Sequence, residues 1–143
     1  MEFQNFEFAT PDYALSVALR DEVLVKPLGL VFSEEDLSKE WDSFHLGAFD
    51  SAQNLCACLV LSPVSSTEIK MRQVAVHETV QGQGIGRRLV AYSEDFARAA
   101  GFRKVVLNAR TSVRDFYTKL EYYIEGEEFE EVGIPHLKMY KEL

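Results

Sequence analysis

The chain has 143 residues, 47% of them hydrophobic and 27% charged, which is globular composition and excludes wholesale disorder. Fifteen lysines and arginines against 23 aspartates and glutamates leave a net charge of −8, which argues against a nucleic-acid partner, because phosphate backbones attract basic surfaces. The same balance suits a cationic small molecule or simply a well-solvated surface.

One domain over residues 1–143 is expected, since this length buries a core of its own. There is no internal repeat or long linker. No apolar run approaches the roughly 18 residues of a membrane span. The segment Met1-Glu-Phe-Gln-Asn5 has neither the basic nor the apolar part of a secretion signal. A cytoplasmic location without a membrane partner is the expectation. The two cysteines, Cys56 and Cys58, make neither a disulfide framework nor a zinc site, and read as small buried hydrophobes. No metal is expected.

Alternation over Glu2–Phe8 predicts a first strand. Thr10-Pro11 is a helix N-cap with proline in the first turn, and Ala14, Leu15, Ala18 and Leu19 carry the helix toward Leu24. Ser33-Glu-Glu-Asp36 resembles a capping box and opens a short helix through Trp41. Strands follow at Phe44–Phe49 and Leu55–Leu61, separated by the turn cluster Asp50-Ser-Ala-Gln-Asn54. The second is apolar on both faces and belongs inside the sheet. Glu68–Val76 is a longer strand, charged at its start. A helix covers Gly84 to Ala100 with Gly101 as its natural stop. A strand at Lys104–Ala109, a helix at Ser112–Leu120 and strands near Tyr122–Phe129 and His136–Lys141 complete the chain. The pattern is α/β: a mixed sheet of about seven strands with four helices packed on it.

The most informative stretch is Val80-Gln-Gly-Gln-Gly-Ile-Gly-Arg-Arg88, between a predicted strand and a predicted helix. Gly82, Gly84 and Gly86 permit positive φ and close backbone approach. The helix that follows offers unpaired N–H groups and the positive end of its dipole, so the loop is a phosphate cradle. Arg87 and Arg88 oppose that dipole unless an anion sits there. A Walker loop requires Gly-Lys-Ser/Thr, which is missing. A dinucleotide fingerprint requires Gly-x-Gly-x-x-Gly and an acidic residue at the end of the next strand. Here the spacing is Gly-x-Gly-x-Gly and the strand reads Lys104-Val-Val-Leu-Asn-Ala-Arg110.

Gln81-Gly-Gln-Gly-Ile-Gly86 instead resembles the pyrophosphate loop of the GCN5-related N-acetyltransferases (GNAT). Met71-Arg-Gln-Val-Ala-Val76 is similar to that family's fourth strand, and Phe116-Tyr117 to its Phe/Leu-Tyr motif. The ending Phe129-Glu-Glu-Val-Gly-Ile-Pro-His136-Leu-Lys-Met139 resembles a small bacterial branch. The resemblance covers nearly the whole chain and implies the GNAT acyl-CoA N-acyltransferase fold, with acetyl-CoA as co-substrate and an amine as acceptor.

It implies a pyrophosphate on the backbone of Gln81, Gly82, Gln83, Gly84, Ile85, Gly86 and Arg87. It also implies a pantetheine arm lying along Val74, Ala75 and Val76 where the fourth and fifth strands splay at a bulge. Asn108 then reaches the arm or the acetyl group, or merely caps its strand. Arg110, where many relatives carry asparagine, meets a coenzyme phosphate.

The family attacks directly, without an acyl-enzyme, which fits a chain whose Cys and Ser residues have no evident base partner. The resemblance makes Tyr117 the acid that serves the departing thiolate. Helical geometry turns Phe116 and Leu120 to the core and Tyr117 about 100° away toward the cleft. A backbone N–H near Val74–Val76 is the expected oxyanion donor. The base is less defined. Relatives use a fourth-strand glutamate, yet that strand carries Glu68, Lys70, Arg72 and Gln73, and Glu68 lies far from the loop. His136 is the alternative, with His45 and His77 behind it.

The run Glu125, Glu127, Glu128, Glu130 and Glu131 either attracts a cationic acceptor or solvates a hairpin. Trp41, Phe44, Tyr122 and Tyr123 line an acceptor pocket or belong to the core. In Leu120-Glu-Tyr122 relatives carry glycine in the middle, so a left-handed Glu121 would be strained by roughly 1 kcal/mol. The reading is transfer of an acetyl group from acetyl-CoA to a primary amine, with a homodimer compatible. The alternative is a non-catalytic acyl-CoA-binding sensor or scaffold.

Overall fold

Seven strands form one sheet of order β1-β2-β3-β4-β5-β7-β6 in the computed structural model, which describes residues 1–143. The strands are β1 Glu2–Phe6, β2 Phe44–Phe49, β3 Leu55–Pro63, β4 Glu68–Val76, β5 Lys104–Arg110, β6 Tyr123–Glu131 and β7 Ile134–Glu142. The helices are α1 Pro11–Arg20, α2 Glu34–Ser38, α3 Ile85–Ala99 and α4 Arg114–Lys119. All neighbouring strands are antiparallel except β4 and β5. The mixed-sheet α/β expectation therefore holds, with seven strands and four helices.

Local chemistry sets the ends of these elements. Thr10 caps α1 by accepting from the Tyr13 N–H at 3.3 Å, with Pro11 in the first turn. Ser33 caps α2 by accepting from the Asp36 N–H at 3.0 Å. Helix α3 stops at a left-handed Gly101 (φ 95°), with the Phe102 N–H bonded back to the Ala97 carbonyl at 3.0 Å. Strand β1 is shorter than expected and ends at Phe6, before Ala9 turns to φ 61°. The first helix leaves α geometry at Arg20 and continues as a π-helical turn over Asp21–Val25. A 3-10 turn at Thr111–Val113 delays α4 to Arg114.

Period-two alternation sorts the sheet's side chains between two layers. Leu59, Leu61, Ile69, Met71, Val105 and Leu107 join Leu89 and Val90 of α3 in the main core. Cys58 and Ala75 face the opposite way and meet Leu19 of α1 in a smaller cluster. Strand β3 is thus buried on both faces, as its composition requires. Both cysteines are free and buried; burial pushes the Cys58 thiol up to about 12.

Candidate active site

Strands β4 and β5 pair in parallel only from Glu68↔Lys104 to Lys70↔Val106, and then diverge. On its other edge β4 carries a bulge. Gln73 and Val74 stand opposite the single residue Leu59, and Gln73 adopts φ 51°. Divergence and bulge together open a cavity of about 400 Å³ in the middle of the sheet. Its walls come from β4 (Lys70, Arg72, Val74), β5 (Asn108, Arg110) and α4 (Tyr117). The β6–β7 end adds Glu131 and His136, and the turn after α1 adds Leu24 and Leu28.

Strand β4 presents free backbone to this gap. The His77 N–H donates to the Cys56 carbonyl at 2.8 Å. Bonded and non-bonded pairs alternate along an antiparallel ladder. Val76, opposite Ala57, therefore turns its N–H and C=O away from β3, whereas Ala75, opposite Cys58, turns them toward it. Ala75 was expected to pair with the coenzyme arm; its backbone is committed to β3 instead. The Val76 carbonyl already accepts from the Gln81 side chain at 2.9 Å.

Beyond Val76 the chain enters the glycine loop. Gly82 and Gly84 both take positive φ, 80° and 79°. Gly84 caps α3 without a side-chain hydrogen bond, and the first helical bond is Arg88 N–H to the Gly84 carbonyl at 3.1 Å. The N–H groups of Ile85, Gly86 and Arg87 stay unpaired at the positive end of a 15-residue helix with no acidic residue in its first turn. Gly86 serves packing: a Cβ there would sit 3.2 Å from Val76 Cγ2 and 3.6 Å from Phe116 Cζ. Arg88 lies over the Phe3 ring at 5.0 Å, so one of the two arginines has a structural partner. None of Gln81 to Arg87 lines the cavity.

Tyr117 lines the cavity, on the cleft side as helical geometry predicts, and is also more deeply buried than Phe116. The ring is 8% exposed and packs edge-on against Phe116 and Tyr122. Its hydroxyl has no protein partner yet is not sealed off, since His45 Nδ1 is the sole fully buried unpaired side-chain atom. Burial pushes the phenol up to about 12. His136 lies opposite Arg110 across β5 and β7. Its Nδ1 stands 2.7 Å from the Ile134 carbonyl, which can only accept, so Nδ1 carries the proton in the neutral ring. Nε2 is left free for a proton, 3.4 Å from Glu131 Oε2.

The other histidines are placed differently. His77 caps a 3-10 turn by accepting from the Thr79 N–H at 3.2 Å. His45 is buried, with Nε2 at 3.0 Å from the Glu40 carbonyl, and desolvation lowers its pKa. Glu68 pairs with Lys104 at 3.4 Å, away from the cavity. Among the β6 glutamates only Glu131 lines the cavity. The aromatic acceptor wall does not form: Trp41 is 69% and Tyr123 63% exposed, Phe44 packs on Phe96, and Tyr122 is buried against Glu94. Arg110, expected at a coenzyme phosphate, lines the cavity with Lys70 and Arg72.

A buried polar cluster braces the bulge. Arg20 is fully buried and donates to Glu40 Oε2 at 2.9 Å and Oε1 at 3.0 Å. It also donates to Gln73 Oε1 at 2.7 Å and to the Ser16 carbonyl at 3.3 Å. The Tyr13 hydroxyl completes Glu40 at 2.7 Å. Burial alone would raise the Glu40 carboxyl; the hydrogen bonds and charge of Arg20 outweigh it and hold it below its ordinary range. Sequence reasoning missed this group. One signal was available: Tyr13, Ser16 and Arg20 share a helical face, so a cation sits on the buried stripe of α1.

The family model for the acetyltransferase (GNAT) domain matches residues 32–143. The uncharacterized protein YyaT of Bacillus subtilis is 30% identical over 124 residues, 79% of this chain and 82% of that protein. An acyl-CoA N-acyltransferase from Pseudomonas aeruginosa has a similar structure, with a TM-score of 0.82 at 25% identity over 98% of each chain. An aminoglycoside 6′-N-acetyltransferase complexed with coenzyme A shares the fold, with a TM-score of 0.83 at 18% identity over 99% of this chain and 97% of that one.

Proposed function

The chain belongs to the GNAT acetyltransferases, and from that premise we propose that it carries the acetyl group of acetyl-CoA to a primary amine of a small acceptor by direct attack. The observation that carries this reading is the splay of β4 from β5 beside an anion-binding helix terminus. The loop residues Gln81 to Arg87 take the pyrophosphate on their backbone, the unpaired N–H groups of Ile85, Gly86 and Arg87 foremost. The arm extends into the gap along Val74 and Val76, which offer main-chain groups as an edge strand does.

The acceptor amine loses a proton to Nε2 of His136, whose ring is oriented by the Ile134 carbonyl and faced by Glu131. The amine nitrogen then attacks the thioester carbon. A backbone N–H at the bulge, that of Val74, receives the developing oxyanion. As the C–S bond breaks, the electron pair leaves on sulfur. Tyr117 supplies it with a hydrogen bond and then a proton, and the second proton shed by the attacking nitrogen returns the phenol to its neutral form. A phenol pushed up to about 12 holds its proton more tightly than a thiol of ordinary pKa near 8.5. Net transfer from Tyr117 to sulfur is therefore uphill on its own and runs only together with that reprotonation. The products are the amide and free coenzyme A.

Calorimetric titration with acetyl-CoA, then with coenzyme lacking its 3′-phosphate, tests the assignment. Micromolar binding of acetyl-CoA, followed by thiol release with an amine, supports it. No binding at millimolar acetyl-CoA overturns the loop assignment.

A further inference from the structure

Of the 15 lysines and arginines, eight make an ion pair. The unpaired ones are not scattered. Arg87 and Arg88 open α3, and Arg103 and Lys119 lie elsewhere. The remaining three, Lys70, Arg72 and Arg110, all line the cavity. Lys70 and Arg72 alternate with the buried Ile69 and Met71 on β4, so both look to the face opposite α3. Arg110 alternates with the buried Ala109 on β5 and looks the same way. All three are half-buried. The cavity's lone carboxylate, Glu131, stands 3.4 Å from His136 Nε2 and forms no ion pair with any of the three.

Three like charges in partial burial repel one another and give up hydration. In a chain with 23 carboxylates, none forms an ion pair with any of the three. The side-chain amide of Asn108, on the same face of β5, also has no protein hydrogen-bond partner. The arrangement fits an anionic ligand.

We propose that the acceptor is an anionic amine, one whose carboxylate or phosphate is held by Lys70, Arg72 and Arg110 while its amino group reaches the thioester. The proposal rests on the acetyltransferase reading and specifies its acceptor. It reverses what the net charge of −8 suggests, because recognition is decided by the few charges that face the ligand and not by the sum over the surface. It also sets this cavity apart from one built for aminoglycosides, which are polycations. The same guanidinium groups disfavour an ammonium beside them and so favour the nucleophilic free amine. That effect stands in for part of what a glutamate on β4 would do.

The test uses matched probes on the full chain, with and without saturating coenzyme A. β-Alanine is compared with β-alaninamide, glucosamine 6-phosphate with glucosamine, and spermidine stands as the cation. Binding is read by calorimetry. The expected result is at least tenfold tighter binding of the anionic member of one pair; which pair responds distinguishes carboxylate from phosphate. Arg72→Gln and Lys70→Met remove that advantage and leave coenzyme affinity within twofold, whereas Lys119→Gln preserves it. β-Alaninamide and glucosamine, or spermidine, binding as tightly as β-alanine and glucosamine 6-phosphate, or no binding by either of the latter two, overturns the proposal. So does a large loss of coenzyme affinity in Arg72→Gln, which would assign the cations to the coenzyme. The titrations without coenzyme keep the two readings separable: failure of acetyl-CoA to bind counts against the acetyltransferase reading alone.

Discussion

Tyr117 has two neighbourhoods, a packed ring and a free hydroxyl, and substitution can separate them. Tyr117→Phe keeps the ring contacts with Phe116 and Tyr122 and removes only the donor. We expect kcat to fall by about 10²-fold or more, the usual scale for general-acid loss, with acetyl-CoA affinity nearly unchanged. Steady-state thiol release and calorimetry read the two quantities. With its phenol pushed up to about 12, Tyr117 contributes no alkaline limb to the pH–rate profile below about pH 10. Arg20 and Glu40 are the opposite kind of residue, with no reach into bulk solvent. Glu40→Gln leaves a buried guanidinium without its counter-charge and should cost about 3–5 kcal/mol in urea unfolding. Arg20→Met strands the buried Glu40 carboxylate in the same way and should cost about as much near neutral pH.

At the level of elements, the turn from α4 into β6 shows sequence and backbone in conflict. Leu120 ends the helix, Glu121 takes φ 71°, and the Glu121 and Tyr122 N–H groups return to the Thr118 and Tyr117 carbonyls at 3.0 Å. This is a Schellman stop with glutamate in the glycine place. Lys141, bonded to the Leu120 carbonyl at 2.9 Å and to Glu94 at 3.0 Å, ties the strained turn to β7 and α3. Glu121→Gly should relieve the left-handed strain and raise stability by about 1 kcal/mol, read as a higher urea midpoint at unchanged slope. The strain was foreshadowed by the family resemblance, since relatives commonly carry glycine where Glu121 stands. The helix caps at Thr10, Ser33 and Gly101 were legible in the sequence itself: a cap is a contact between residues three or four apart. The bulge at Gln73 was not, since two residues facing one is a property of β3 and β4 together.

For the whole molecule, the titrating groups that change on folding set a stability plateau. His45 is lowered by burial, so its contribution is present above its unfolded value near 6.5 and lost as pH falls. Glu40 is held low as well, so its contribution is lost below an unfolded value near 4.5. Cys58 and Tyr117 are both pushed up to about 12 by burial, so their contributions are complete below about 9 and 10 and fade as pH rises beyond. Thermal unfolding should therefore show its highest Tm between about pH 6.5 and 9, falling on both sides. Cys58→Ala should flatten the alkaline limb where it begins. The chain's own order of residues determined the strands, the four helices and the loop Gln81–Gly86, because periodicity, caps and glycine spacing are local quantities, while the family resemblance carried by its motifs supplied the candidates Tyr117 and Asn108 and the chemistry of imidazole supplied His136. Tertiary structure alone decided what met in the cavity. Lys70 and Arg72 read as the charged start of a strand until the splay of β4 from β5 put them around one cavity with Arg110, and Arg20 read as a helix end until Glu40 and Gln73 closed on it. The aromatics Trp41 and Tyr123 went to the surface instead. Charge and burial are properties of neighbours far apart in the chain, and only the folded sheet chooses those neighbours.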